Sequence, residues 1–107
     1  KLNKNNITAK VFNIYDMNIE YCTACGFCDK KGYCKYNDDM KPMYEMFDKA
    51  KGVIVISPVC FNSISAKVKT VVDRTQAIYA SKYILNNSMI DRSKKRIGIW
   101  MFRYWLW

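Results

Sequence analysis

Between Gly52 and Pro58 the chain reads Val-Ile-Val-Ile-Ser, four β-branched residues in a row closed by Ser-Pro. No other stretch restricts the fold as strongly. Successive side chains of a strand point to opposite faces, so a half-exposed strand alternates apolar with polar residues. A continuous β-branched run suits a strand buried on both faces, the environment of a parallel sheet covered by helices. The flanks agree with that reading. Upstream, Asp38 and Asp39 are placed to cap a helix that tolerates Pro42 in its first turn. Met40, Met43, Tyr44, Phe47 and Ala50 share one face of that helix, and Gly52 ends it. Downstream, a second helix is expected over residues 65–83, burying Val68, Val71, Val72, Thr75, Ile78 and Tyr79. Residues 8–15 read as an earlier strand and residues 96–102 as a later one, beyond a break at Asn86-Asn87-Ser88. Strand, helix, strand, helix, strand is the order of an α/β domain with a parallel sheet and right-handed crossovers.

The length of 107 residues allows one domain, which spans residues 1–107. No apolar run is long enough to cross a bilayer, and no apolar stretch follows the polar residues 1–10. The expectation is a cytoplasmic protein with no membrane partner. The formal charge of +9, from 18 Lys and Arg against 9 Asp and Glu, is spread along the chain. Only residues 92–96 gather it, which reads as a solvated face and not as a nucleic-acid stripe. Histidine is absent, which removes the usual triads and every His-containing zinc site. Hydride and electron transfer survive that exclusion, because a cofactor carries their chemistry.

Cys22, Cys25, Cys28 and Cys34 have the pattern C-x2-C-x2-C-x5-C inside residues 20–37, which read as a long structured loop. Thiols at two-residue gaps can wrap one small inorganic centre, and bacterial ferredoxin runs share the first two gaps. They differ at the fourth cysteine, which here precedes Lys35 where those runs have proline. Gly26 and Gly32 supply tight backbone. The occupants left open are a [4Fe–4S] cluster, a four-thiolate zinc, a disulfide pair and plain packing thiols. Structural zinc sites usually split their ligands into separated pairs, and disulfides need an oxidising compartment.

These cysteines, followed by Asp38-Asp39-Met40, then Ser57-Pro58-Val59, Phe61-Asn62-Ser63-Ile64-Ser65-Ala66, Lys69 and Asp73-Arg74, resemble the NADPH-dependent FMN reductase and iron–sulfur flavoprotein family. The resemblance covers about residues 8–99. It implies a flavodoxin-like, three-layer parallel sheet with FMN at the carboxyl ends of the strands. It implies NAD(P)H and a further electron acceptor as partners, and homo-oligomers among intact relatives. Carried over from the family, Pro58, Val59, Cys60, Phe61, Asn62 and Ser63 line the flavin ring. Read from the residues alone, Ser57-Pro58 merely ends a strand and Ser63 or Ser65 caps a helix. Cys60 stands where relatives commonly have tyrosine and reads as a small buried hydrophobe. Asp73 and Arg74 form a local pair or an oligomer contact. The chain reads as incomplete at both ends, without the family's first strand, its phosphate loop and its last strands. FMN binding by this segment alone is accordingly expected to be weak. The function expected is that of an FMN-dependent NAD(P)H oxidoreductase or an inactive piece of one, the alternative being a non-enzymatic four-cysteine metal-binding module.

Overall fold

The computed structural model describes residues 6–87, 90 and 97–103. Residues 1–5, the basic cluster at 92–96 and the aromatic residues beyond 103 lie outside the described set. The elements are α1 (Phe27–Lys31), α2 (Met40–Lys49), β1 (Gly52–Cys60), β2 (Ser63–Ile64), α3 (Ala66–Arg74) and α4 (Gln76–Tyr79). A π-helical turn at Ala80–Ile84 follows, and β3 (Ile97–Arg103) completes them.

The β-branched run forms the middle strand of a three-stranded sheet ordered β2-β1-β3. β1 and β3 run parallel from Gly52↔Ile97 to Pro58↔Arg103, as the alternation of elements requires. The α/β class therefore holds, in a sheet that is mixed. β1 also folds back on β2 as an antiparallel hairpin, with Val59 opposite Ile64 and Cys60 opposite Ser63. Ser-Pro does not end the strand. β1 continues through Pro58 to Cys60, and the chain reverses only at Phe61 and Asn62, both left-handed at φ 48° and 60°. Two consecutive positive φ values are the geometry of a primed hairpin turn, which matches the twist of the flanking strands. The Ser57 hydroxyl anchors the hairpin: it donates to the Pro58 carbonyl at 2.8 Å and accepts the Ser65 N–H at 3.1 Å.

Two expectations about β structure need correction. Residues 8–15 are not a strand; they run as irregular chain with a turn near Asp16, whose N–H donates to the Asn13 carbonyl at 3.1 Å. A strand needs a neighbour to take its backbone hydrogen bonds, and no described strand lies beside this segment. Nor is β1 buried on both faces. Ile54 and its partner Ile99, with Ile56 and Ile97 at other positions on the same face, are 49%, 46%, 70% and 70% exposed. No described layer covers this face, so the apolar pattern registers a strand without its cover.

The core cluster is drawn from the helices and the irregular chain before them, with no strand residue among its members. Met40, Met43 and Tyr44 of α2 pack with Ile19, Val71 and Ala77, and Phe12, Ile14, Met17, Cys28, Cys34, Phe47 and Ile78 flank them. Pro42 sits in the first turn of α2, where its missing N–H costs nothing. That helix ends at Lys49, with Ala50 as its C-cap and Gly52 already in β1. The helix expected over residues 65–83 is broken at Thr75. The Thr75 hydroxyl and N–H both donate to the Val72 carbonyl, at 2.7 and 3.0 Å, which tightens the turn. Burial downstream then falls on Ala77 and Ala80, while Thr75 and Ile78 are half-buried and Tyr79 is exposed beside Tyr83.

Candidate metal centre

The segment carrying the cysteines is more than a loop, because residues 27–31 make one helical turn between two glycines. Gly26 enters it at φ 67° and Gly32 leaves it at φ 78°, with the Gly32 N–H donating to the Cys28 carbonyl at 2.7 Å. Such left-handed positions at helix ends favour glycine. Asp29 in the first turn and Lys30 and Lys31 in the last complement the helix dipole. That charge order, bracketed by two glycines, was the sequence signal for this helix. Phe27 and Tyr33 brace it edge to face, with centroids 5.6 Å apart.

All four cysteines of the motif line one cavity of about 420 Å³, whose far wall is Asp73 of α3 and Gln76 of α4. Cys22 and Cys25 are exposed, while Cys28 and Cys34 are half-buried against the helical core. All are free thiols. Two of them are tuned in opposite directions. The Phe27 N–H holds the Cys25 thiol below its ordinary pKa, with help from Lys35. Burial pushes the Cys28 thiol up, reinforced by Asp29, whose carboxylate lies 3.8 Å from its sulfur. No three Cys, Asp or Glu side chains among the described residues are grouped to hold a metal ion. The thiols stand around a space. A single ion closed by thiolates at about 2.3 Å requires convergence on one point, whereas a polynuclear cluster takes its ligands at the corners of a larger body. Four soft sulfur donors on one cavity wall fit the second arrangement.

Beneath the cavity lies a feature that the sequence reading missed. Arg74 does not pair with Asp73, which instead bonds Lys69 one turn away. It reaches Asp38 with two hydrogen bonds, Nη1 to Oδ2 at 2.7 Å and Nη2 to Oδ1 at 3.1 Å, both side chains being almost fully buried. Nη1 also donates to the Glu20 carbonyl at 2.7 Å, and the guanidinium lies over the Tyr36 ring, 5.1 Å from its centroid. Asp38 in turn accepts the N–H groups of Glu20 at 3.0 Å and Met40 at 3.1 Å, while Asp39 takes the Asn18 N–H at 2.6 Å. Of the two expected caps, Asp39 holds the N-cap position without a cap hydrogen bond, while Asp38 takes the first helical N–H and carries the ion pair as well. Burial disfavours the charged Asp38, but Arg74 and the two N–H groups outweigh it and hold the carboxyl below its ordinary pKa. Tyr44 donates to the Arg74 carbonyl at 2.8 Å, and burial pushes its phenol up to about 12. No periodicity in the sequence marks a pairing across 36 residues.

The positions carried over for flavin contact lie apart from this cavity. Pro58 and Val59 are half-buried in β1, whereas Cys60, Phe61, Asn62 and Ser63 are exposed at the hairpin tip. Cys60 is thus not the small buried hydrophobe expected. Phe61 is fully exposed at φ 48°. Behind the hairpin, Ser65 stands at the N-cap of α3 without making a cap hydrogen bond, and its buried hydroxyl has no partner among the described residues. It borders a second cavity of about 580 Å³, which also touches Tyr15, Tyr21 and Lys67 and none of residues 58–63.

Residues 1–91 match the model of the family described as NADPH-dependent FMN reductase. An iron–sulfur flavoprotein of Archaeoglobus fulgidus is 35% identical over 77% of this chain and 42% of its own length. Iron–sulfur flavoproteins of Methanocaldococcus jannaschii and Methanosarcina thermophila are 36% and 34% identical, over 66% and 64% of this chain and 36% of each relative. The chain thus spans about two fifths of the length of these curated relatives. No solved structure matches it significantly.

Proposed function

The chain belongs to the NADPH-dependent FMN reductase family, and from that premise we propose that it is part of an FMN-dependent oxidoreductase in which the Cys22–Cys34 segment holds a [4Fe–4S] cluster. The observation that carries the reading is the shared cavity, which all four thiols line. The family match and the related iron–sulfur flavoproteins support the flavin-dependent oxidoreductase part of the reading. Cys22, Cys25, Cys28 and Cys34 would hold a cluster and residues 58–63 the flavin; bound there, FMN would supply hydride chemistry and the cluster one-electron transfer.

The chain's own residues supply position and electrostatics. Gly26 and Gly32 let the backbone turn tightly enough to present Cys25, Cys28 and Cys34 from one helical turn and its flanks. The lowered pKa of Cys25 favours the thiolate that a metal requires, and the half-burial of Cys28 and Cys34 limits water around the centre. On the hairpin, Phe61 and the neighbouring backbone of Cys60, Asn62 and Ser63 hold the flavin ring, with Pro58 and Val59 stiffening the strand behind them. We place the protein in a reducing, cytoplasmic setting as a homo-oligomer, with NAD(P)H as donor and no nucleic acid or membrane as partner.

Metal analysis of anaerobically reconstituted chain tests the reading. Iron with acid-labile sulfide and a broad visible charge-transfer band is expected. Zinc without sulfide would make the segment a metal-binding module instead.

A further inference from the structure

We propose that Arg74 is the positioning residue of the cysteine centre, its guanidinium clamping together the two ends of the segment that carries the four thiols. The entry to that segment is Glu20, two residues before Cys22, and its exit is Tyr36 and Asp38, two and four residues after Cys34. Arg74 bonds the first through the Glu20 carbonyl and the second through both oxygens of Asp38, and it stacks on Tyr36 between them. Asp38 closes the same ring from the other side by accepting the Glu20 N–H. One buried side chain on α3 thereby fixes both ends of the loop against the helices that form the far wall of the cavity. The ends of an unclamped loop separate freely, and four ligands then have to be gathered from a wider ensemble.

Arg74 is also charged, so the clamp sets a buried positive charge against both ends of the segment. Its buried Nε–H has no acceptor among the described residues. Lysine keeps the charge but cannot make the forked pair, so the two contributions separate by substitution. The clamp stands on geometry alone; its bearing on the centre rests on the cluster reading above.

The test uses the full chain, first ligand-free under anaerobic reducing conditions. Alkylation by iodoacetamide is followed cysteine by cysteine, with exposed Cys60 as the internal reference. In Arg74→Lys and Asp38→Asn the labelling of Cys28 and Cys34 relative to Cys60 should rise about tenfold through local opening, whereas Tyr44→Phe, which leaves the guanidinium in place, should change it by less than about twofold. Should Arg74→Lys fail to fold, Asp38→Asn carries this arm alone. An unchanged ratio in the clamp variants, or an equal rise in Tyr44→Phe, overturns the proposal. After reconstitution with iron and sulfide, Arg74→Gln should have a lower midpoint potential than wild type while Arg74→Lys stays near it. Equal potentials in all three would overturn the electrostatic part. Faster labelling in a chain that never forms a cluster keeps the clamp and removes the cluster reading; a loaded wild type with unchanged labelling does the reverse.

Discussion

Replacing Asp38 by alanine removes the counter-charge of a guanidinium that is itself 2% exposed. The magnitude follows from what is left behind. Arg74 keeps the Glu20 carbonyl and the Tyr36 ring but loses both hydrogen bonds to Asp38, and the Glu20 and Met40 N–H groups lose their acceptor. Breaking one side of a buried ion pair costs about 3–5 kcal/mol, because the remaining charge has no compensation. Against a total stability of about 5–15 kcal/mol that is a large fraction, worth a fall in Tm of at least about 12 °C for a domain of this size. Urea unfolding followed by circular dichroism gives the free energy, and a scan gives Tm. Asp38→Asn should cost less, since the amide oxygen still accepts one of these bonds. The pH dependence has a definite sign. The folded pKa of Asp38 lies below its ordinary 3.8, so its contribution is complete above that value and is lost as pH falls through the folded pKa. The wild-type urea midpoint should therefore drop more steeply than that of Asp38→Asn below about pH 4. A cost under about 1 kcal/mol for Asp38→Ala, or parallel pH profiles, would refute the reasoning.

Further outcomes follow from single residues. Met40 is fully buried in the helical core, so Met40→Ala should lower stability by about 2–5 kcal/mol in urea titration. Gly32 sits at φ 78° with an added Cβ 3.3 Å from Leu85, so Gly32→Ala should cost about 1 kcal/mol or more and loosen the labelling of Cys28 and Cys34. Phe61→Gly should raise stability by about 1 kcal/mol by relieving a left-handed turn at an exposed site, while weakening FMN binding in a fluorescence titration. The Tyr44 phenol should stay protonated until about pH 12 in an absorbance titration, and the stability it lends should be present below pH 10 and fade as pH rises toward 12.

The sequence made some of this legible and hid the rest for physical reasons. The Val-Ile-Val-Ile run specified a strand and its parallel partner, because β-branched residues in unbroken succession suit little else. It did not specify whether anything covers Ile54 and Ile56, since burial depends on neighbours and not on the run itself. Residues 8–15 carry strand propensity but no partner to realise it, so propensity alone misassigned them. The four thiols that the cysteine spacing singled out line one cavity. That spacing was silent on Arg74, whose partners lie 36 and 54 residues away and whose place on α3 looks like any charged helix position. Thr75 likewise gave no warning that it would tighten the backbone and shift burial onto Ala77 and Ala80.

Anaerobic reconstitution of the full chain with iron, sulfide and excess FMN, followed by visible spectroscopy during addition of NAD(P)H, tests the central claim most directly. The account predicts about four iron and four sulfide per chain, and a charge-transfer band that bleaches together with the flavin band. A chain that takes up stoichiometric zinc and no sulfide, or one whose flavin is reduced while a formed cluster stays oxidised, would contradict it.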